Sequence, residues 1–177
     1  PLKGLRIAPY YGCLIVRPAF QGVFDDHEYP TTLDTLMKTL GATVVDFPMK
    51  AHCCGGHMTQ ISQSTGLELI RQLLQNAADN KADAIVTLCP MCQLNLDAYQ
   101  NDVNKFFKTN FQIPILYFTQ MMGLAFGIPA ADLGIGKEFI DAGPALAKIG
   151  VEASEPEAPK KKPSKEALPM PSMLEEK

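Results

Sequence analysis

The 177-residue sequence predicts an α/β domain: a mainly parallel sheet of about four strands with helices on its faces and a cysteine site at the carboxyl edge. Three observations carry this. Short, apolar, β-rich runs alternate with segments of helical periodicity, the order that builds parallel sheets. Apolar residues make up 46% of the chain, enough for one sizeable core. Each of the first three apolar runs is followed closely by cysteine.

In order, residues 5–11 read as a first strand, running into Gly12-Cys13. Residues 31–40 carry Leu33, Leu36, Met37 and Leu40, the i, i+3, i+4, i+7 stripe of an amphipathic helix, with Pro30 at its start and Gly41 at its end. Residues 43–47 read as a second strand. Leu67, Ile70 and Leu74, continued by Ala77 and Ala78, mark a second helix beyond Cys53-Cys54-Gly55-Gly56. Residues 84–88 give a third strand, β-branched in its middle. Leu96, Tyr99, Val103 and Phe106 define a third helix that starts at or just after Pro90, and residues 115–118 a fourth strand. Domain organisation is expected to be one unit at 1–150, then a disordered tail at 151–177. There Pro156, Pro159, Pro163, Pro169 and Pro171 stand among Lys160-Lys161-Lys162 and six glutamates, a composition that buries too little to offset its ordering entropy. The opening Pro1-Leu2-Lys3-Gly4 leads directly into the first strand, as expected of part of a longer polypeptide.

Composition narrows the function. A net charge of −3, with no Lys/Arg cluster interleaved with aromatics, speaks against nucleic acid. The longest apolar stretch, 113–130, is broken by Pro114, Thr119, Gln120 and Pro129 and falls short of the roughly 20 residues of a membrane span. A soluble, cytoplasmic protein is expected. Five cysteines, an odd number in a chain with a good core, fit a reducing compartment better than a disulfide framework.

Those thiols are the most informative feature: Cys13, the vicinal pair Cys53-Cys54, and Cys89-Pro90-Met91-Cys92. In a parallel sheet the carboxyl ends of the strands share one edge, so three distant loci can converge there. Cys92 would fall in the first turn of a helix, where free N–H groups favour thiolate or an anionic cluster. Adjacent residues on extended backbone face opposite ways, so Cys53 and Cys54 can serve one site only if the chain turns, which Gly55 and Gly56 permit. Zinc closes with four ligands and leaves one thiol over. A thioredoxin-like pair does not require the other three cysteines. An iron–sulfur cluster accepts several thiolates. On residues alone, iron–sulfur, zinc and redox thiols all remain open. His52 and His57 flank the Cys-Cys-Gly-Gly turn, and each is a candidate hydrogen-bond or proton donor. His27, beside Asp25, Asp26 and Glu28, reads as a solvated loop residue, and the eight methionines as core filler.

The pattern Cys13-x(39)-Cys53-Cys54-Gly55-x(33)-Cys89-x-x-Cys92 resembles the cysteine-rich CCG domain family. The words Ala8-Pro9-Tyr10-Tyr11-Gly12-Cys13, His52-Cys53-Cys54-Gly55-Gly56 and Cys89-Pro90-Met91-Cys92-Gln93-Leu94-Asn95-Leu96-Asp97 look most like the second, C-terminal CCG half of heterodisulfide reductase B subunits. The resemblance implies a noncubane 4Fe-4S cluster on all five cysteines. It also implies reductive cleavage of a disulfide such as the CoM-CoB heterodisulfide, and partner subunits bearing ferredoxin-like iron–sulfur clusters and a flavin. CCG domains similar to this one also serve as electron-transfer subunits of succinate, lactate, glycolate or glycerol-3-phosphate oxidising complexes. A structural zinc-binding interaction module is the alternative of a different class.

Overall fold

The computed structural model describes residues 1–17 and 25–151, so the expected tail lies outside the described residues except for Val151. Its centre is β1 (Arg6–Tyr10), followed by the short α1 (Cys13–Val16) and by α2 (Thr32–Thr39), which crosses over to β2 (Thr43–Val44). Next come α3 (Met58–Ile61), α4 (Gln63–Asp79) and β3 (Ala84–Thr87), then α5 (Pro90–Ala98), α6 (Gln100–Phe107) and β4 (Ile115–Tyr117). The chain continues through α7 (Phe118–Ala125), a 3₁₀ turn (Ala130–Leu133) and α8 (Gly143–Leu146). All four strands are parallel, in the order β2-β1-β3-β4. Ile7 pairs with Val44 on one side and Ala84 on the other, while Tyr10 pairs with Thr87 and Thr87 with Tyr117.

Strand alternation sorts the core into two layers. Ile7, Val86 and Leu116 pack with Leu33 and Met37 of α2 and Met121 of α7. Ala8, Tyr10, Ile85 and Ile115 pack with Leu67, Ile70 and Leu74 of α4, Leu96 of α5 and Val103 of α6. A sheet covered on both faces explains why β3 reads as an unbroken apolar run rather than an alternating one. Among the described residues, no helix is long and apolar enough to cross a membrane.

Three expectations are corrected in detail. The second strand is only Thr43–Val44, because ladder pairing ends with the Val45 N–H on the Ile7 carbonyl, and the chain then turns through Pro48, which has no N–H to give. The third helix is two helices, since the backbone at Tyr99 (φ −91°, ψ 1°) interrupts it, while the apolar stripe continues because both halves cover the same sheet face. Phe118 begins α7 rather than ending β4, with the Gln120 side chain accepting the Tyr117 N–H at 2.7 Å.

One buried cation ties the loop after β1 to α2. Lys50 is 1% exposed, and its Nζ donates to the Pro30 carbonyl and Asp34 Oδ1, each at 2.8 Å, 4.0 Å from the centre of the Tyr29 ring. The Tyr11 hydroxyl donates to Asp34 Oδ2 and accepts the Leu33 N–H, both at 2.7 Å. The Lys50 carbonyl in turn accepts the N–H groups of Tyr11 and Gly12. Removing one partner of a buried pair leaves the other uncompensated, so Lys50→Met is expected to cost about 3 kcal/mol in urea denaturation. Lys50→Met with Asp34→Leu should recover part of the loss. An unchanged midpoint in the single variant would show the lysine to be incidental.

Candidate metal centre

The strand order runs outward in opposite directions from the β1/β3 pair, so the crevice beyond their carboxyl ends is the topological switch point, where open α/β sheets bind ligands. Cys13 opens α1 three residues beyond Tyr10. Cys89 is the N-cap of α5, two residues beyond Thr87, with Pro90 in the first turn and Cys92 one turn in and buried. The nine-residue α5 therefore points its N-terminal N–H groups at this crevice. Cys53 and Cys54 arrive on the loop after β2, whose Lys50 carbonyl is bonded to the Tyr11–Gly12 backbone.

The five thiols are all free, and their contacts fall into two sets, Cys13 with Cys53 and Cys54 with Cys92 and Cys89. Cys54 Sγ and Cys92 Sγ are 3.4 Å apart. Cys92 also contacts the Cys89 thiol, and Cys13 that of Cys53. Cys54 and Cys92 form the buried floor, Cys13 and Cys89 are half-buried, and Cys53 is exposed, so the group is open on one side. The Cys92 contact, followed by the Gly56 N–H, draws the Cys54 thiol down to about 6 against the opposing effect of burial. Cys92, hydrogen-bonded to that thiolate and buried, is held far above the usual thiol range. Burial, then the neighbouring Cys53, raises Cys13. Among the described residues, no three His, Cys, Asp or Glu side chains converge on a single-ion position. Cys54 is near enough to Cys13 to act on it electrostatically, so the two sets share one edge, and the soft donor chemistry of five thiols fits iron–sulfur.

Two glycines make the approach possible. A Cβ on Gly12 (φ 74°) would lie 3.0 Å from Cys92 Sγ, and one on Gly55 (φ 88°) 3.2 Å from the Gly66 carbonyl oxygen. The turn expected from Gly55-Gly56 is present, since both residues have positive φ.

His52 and His57 both flank the turn on its exposed side, and among the described residues neither imidazole makes a hydrogen bond. His27 is not the solvated residue expected. It is half-buried and its Nδ1 donates to the Val16 carbonyl at 3.1 Å. Tyr10 and Asn95 were given no role by the sequence. The Tyr10 hydroxyl, fully buried, donates to the His52 carbonyl at 2.7 Å, and Asn95 Nδ2 donates to the Cys54 carbonyl at 2.5 Å. Burial, then the surrounding thiols, keeps the Tyr10 phenol protonated. The Asn95 signal was available, since it stands three residues beyond Cys92 and so shares its helix face. Tyr10 had only strand alternation with Ala8.

Residues 7–97 match the family described as a cysteine-rich CCG domain. The chain is 39% identical over 142 residues to the 8-methylmenaquinol:fumarate reductase membrane anchor subunit of Wolinella succinogenes, covering 80% of this chain and 50% of that protein. It is 35% identical over 147 residues to the B subunit of the ferredoxin/F(420)H(2)-dependent CoB-CoM heterodisulfide reductase of Methanosarcina acetivorans, covering 82% of this chain and 49% of the relative. The B subunit of the ferredoxin:CoB-CoM heterodisulfide reductase of Methanosarcina mazei is similar to the same extent. The chain spans about half the length of these curated relatives.

A methyl group tests the turn without touching a thiol. Gly55→Ala combines positive φ with the Gly66 carbonyl and is expected to lower stability by about 1–2 kcal/mol. Gly56→Ala, with nothing within 4 Å of its Cβ, should lower it less. Equal midpoints in denaturant would show that the close approach at Gly55 does not matter.

Proposed function

Because this chain belongs to the cysteine-rich CCG domain family, we propose that it is the iron–sulfur half-subunit of an oxidoreductase complex of the heterodisulfide reductase kind. Cys13, Cys53, Cys54, Cys89 and Cys92 are its ligands for a noncubane 4Fe-4S cluster, and reductive cleavage of a disulfide such as the CoM-CoB heterodisulfide is its reaction. The observation that carries this reading is the meeting of five free thiols, open on one side, at the switch point of a parallel sheet. When bound, such a cluster supplies electrons one at a time and iron that takes a sulfur ligand.

The chain's own residues have separable tasks in this reading. Cys54 and Cys92, both buried, shield the inner side from water. Exposed Cys53 marks the side of approach, and His52 and His57 stand beside it to hand protons to departing thiolates. The chain serves as the second CCG half, with residues 1–150 as the cluster domain and 151–177 as a solvated tail. Its electrons come from a ferredoxin-like iron–sulfur subunit and a flavin subunit in the cytoplasm.

A second reading, electron transfer with a quinol, is favoured by a cavity of about 320 Å³ that no cysteine lines but whose wall includes residues close in sequence to Cys13 and Cys89. Ile15 and Val16 of the Cys13 turn, Leu88 next to Cys89, and Leu33, Leu36 and Phe118 wall it. Its polar rim is Asp25, Asp26 and His27, and among the described residues no Lys or Arg lines it. Such a wall suits an apolar ring and repels an anionic disulfide.

Anaerobic analysis after loading with ferrous iron and sulfide is expected to give about four Fe and four acid-labile sulfides per chain. One zinc and no iron would end this reading in favour of a structural zinc module. Titration of the loaded chain with 2,3-dimethyl-1,4-naphthoquinone separates the two substrates. The disulfide reading expects no binding. The quinol reading expects binding that Leu36→Trp, by filling the cavity, weakens at least roughly tenfold.

A further inference from the structure

We infer that Tyr10 and Asn95 are positioning residues that lock the Cys53-Cys54 turn into the conformation presenting both thiols to one site. The inference rests on the cluster reading and adds the two residues that hold the backbone of its vicinal pair.

A vicinal cysteine pair poses a specific problem, because consecutive side chains on extended backbone diverge. Here the peptide groups on either side of the Cys53-Cys54 pair are gripped from two different elements. From the end of β1, the Tyr10 hydroxyl holds the His52 carbonyl at 2.7 Å. From α5, Asn95 Nδ2 holds the Cys54 carbonyl at 2.5 Å. Neither grip yields easily. Tyr10 is fully buried, with its ring edge-on to Phe47 at a centroid distance of 6.3 Å, and Asn95 is 4% exposed. Tyr10 comes from the strand that leads to Cys13 and Asn95 from the helix that carries Cys92. The turn is therefore registered against both of the other cysteine-bearing segments.

The test uses the full chain loaded anaerobically with iron and sulfide. Tyr10→Phe removes one oxygen and keeps the ring against Phe47, and Asn95→Leu removes the donor at similar volume. Both are expected to retain the far-UV circular dichroism of the wild type and to release iron to a chelator roughly ten times faster or more. Tyr10→Phe is also expected to change the electron paramagnetic resonance spectrum of the loaded chain, because a turn released from the His52 carbonyl bond presents its two sulfurs differently. A Tyr10→Phe chain with wild-type spectrum and iron release would overturn the inference. Failure of Tyr10→Phe to fold would overturn it too, since the role would then be global. If Asn95→Leu does not fold, Tyr10→Phe alone decides. A wild-type chain that takes up no iron fails in a different sample and defeats the cluster reading itself.

Discussion

Parallel pairing of β1 with β3 is the constraint on which the rest depends. It puts the carboxyl ends of two central strands side by side, so that Cys13 and Cys89, 76 positions apart, leave the sheet at neighbouring points (89 − 13 = 76). The strand order turns away on both sides of this pair, so among the described residues no crossover helix occupies the crevice between them. Cys53 and Cys54 are then carried in from the β2 side, where Lys50 joins backbone to backbone with Tyr11 and Gly12. Sheet topology therefore does what local sequence cannot, and collects three remote segments at one edge.

Within that edge the chemistry is graded from inside to outside. Cys54 and Cys92 are in contact on the buried floor, near Tyr10 and Asn95, while Cys53 is exposed, with the exposed His52 and His57 close to it in sequence. A polynuclear centre needs both conditions: a dry side, where hydrogen bonds to sulfur are strong, and an open side, where a substrate arrives. The apolar cavity beyond α1 is walled in part by Ile15, Val16 and Leu88, close in sequence to Cys13 and Cys89. A small shift in which flank a substrate uses would separate disulfide chemistry from quinol chemistry on one scaffold.

Much of this was readable before folding. Leu33, Leu36 and Met37 announced α2 by their spacing, and the β-branched Ile85-Val86 announced β3, because both signals are local. The turn at Gly55-Gly56 was readable because only glycine adopts its backbone readily. What escaped was what depends on distant partners. Tyr10 bonds a carbonyl 42 positions away, and His27 reaches back 11 positions to Val16. The break at Tyr99 was hidden because α5 and α6 bury their stripes against the same sheet face, so apolar periodicity runs through it.

The claim beneath all of this is that five sulfurs bind one inorganic centre together. Cysteine alkylation mapped by mass spectrometry, on the iron-loaded chain and on the chelator-stripped chain, tests it most directly. The account predicts that all five cysteines are shielded in the loaded chain and become reactive together as iron leaves. A cysteine among the five that reacts at the rate of a free thiol while the iron content stays unchanged would contradict it.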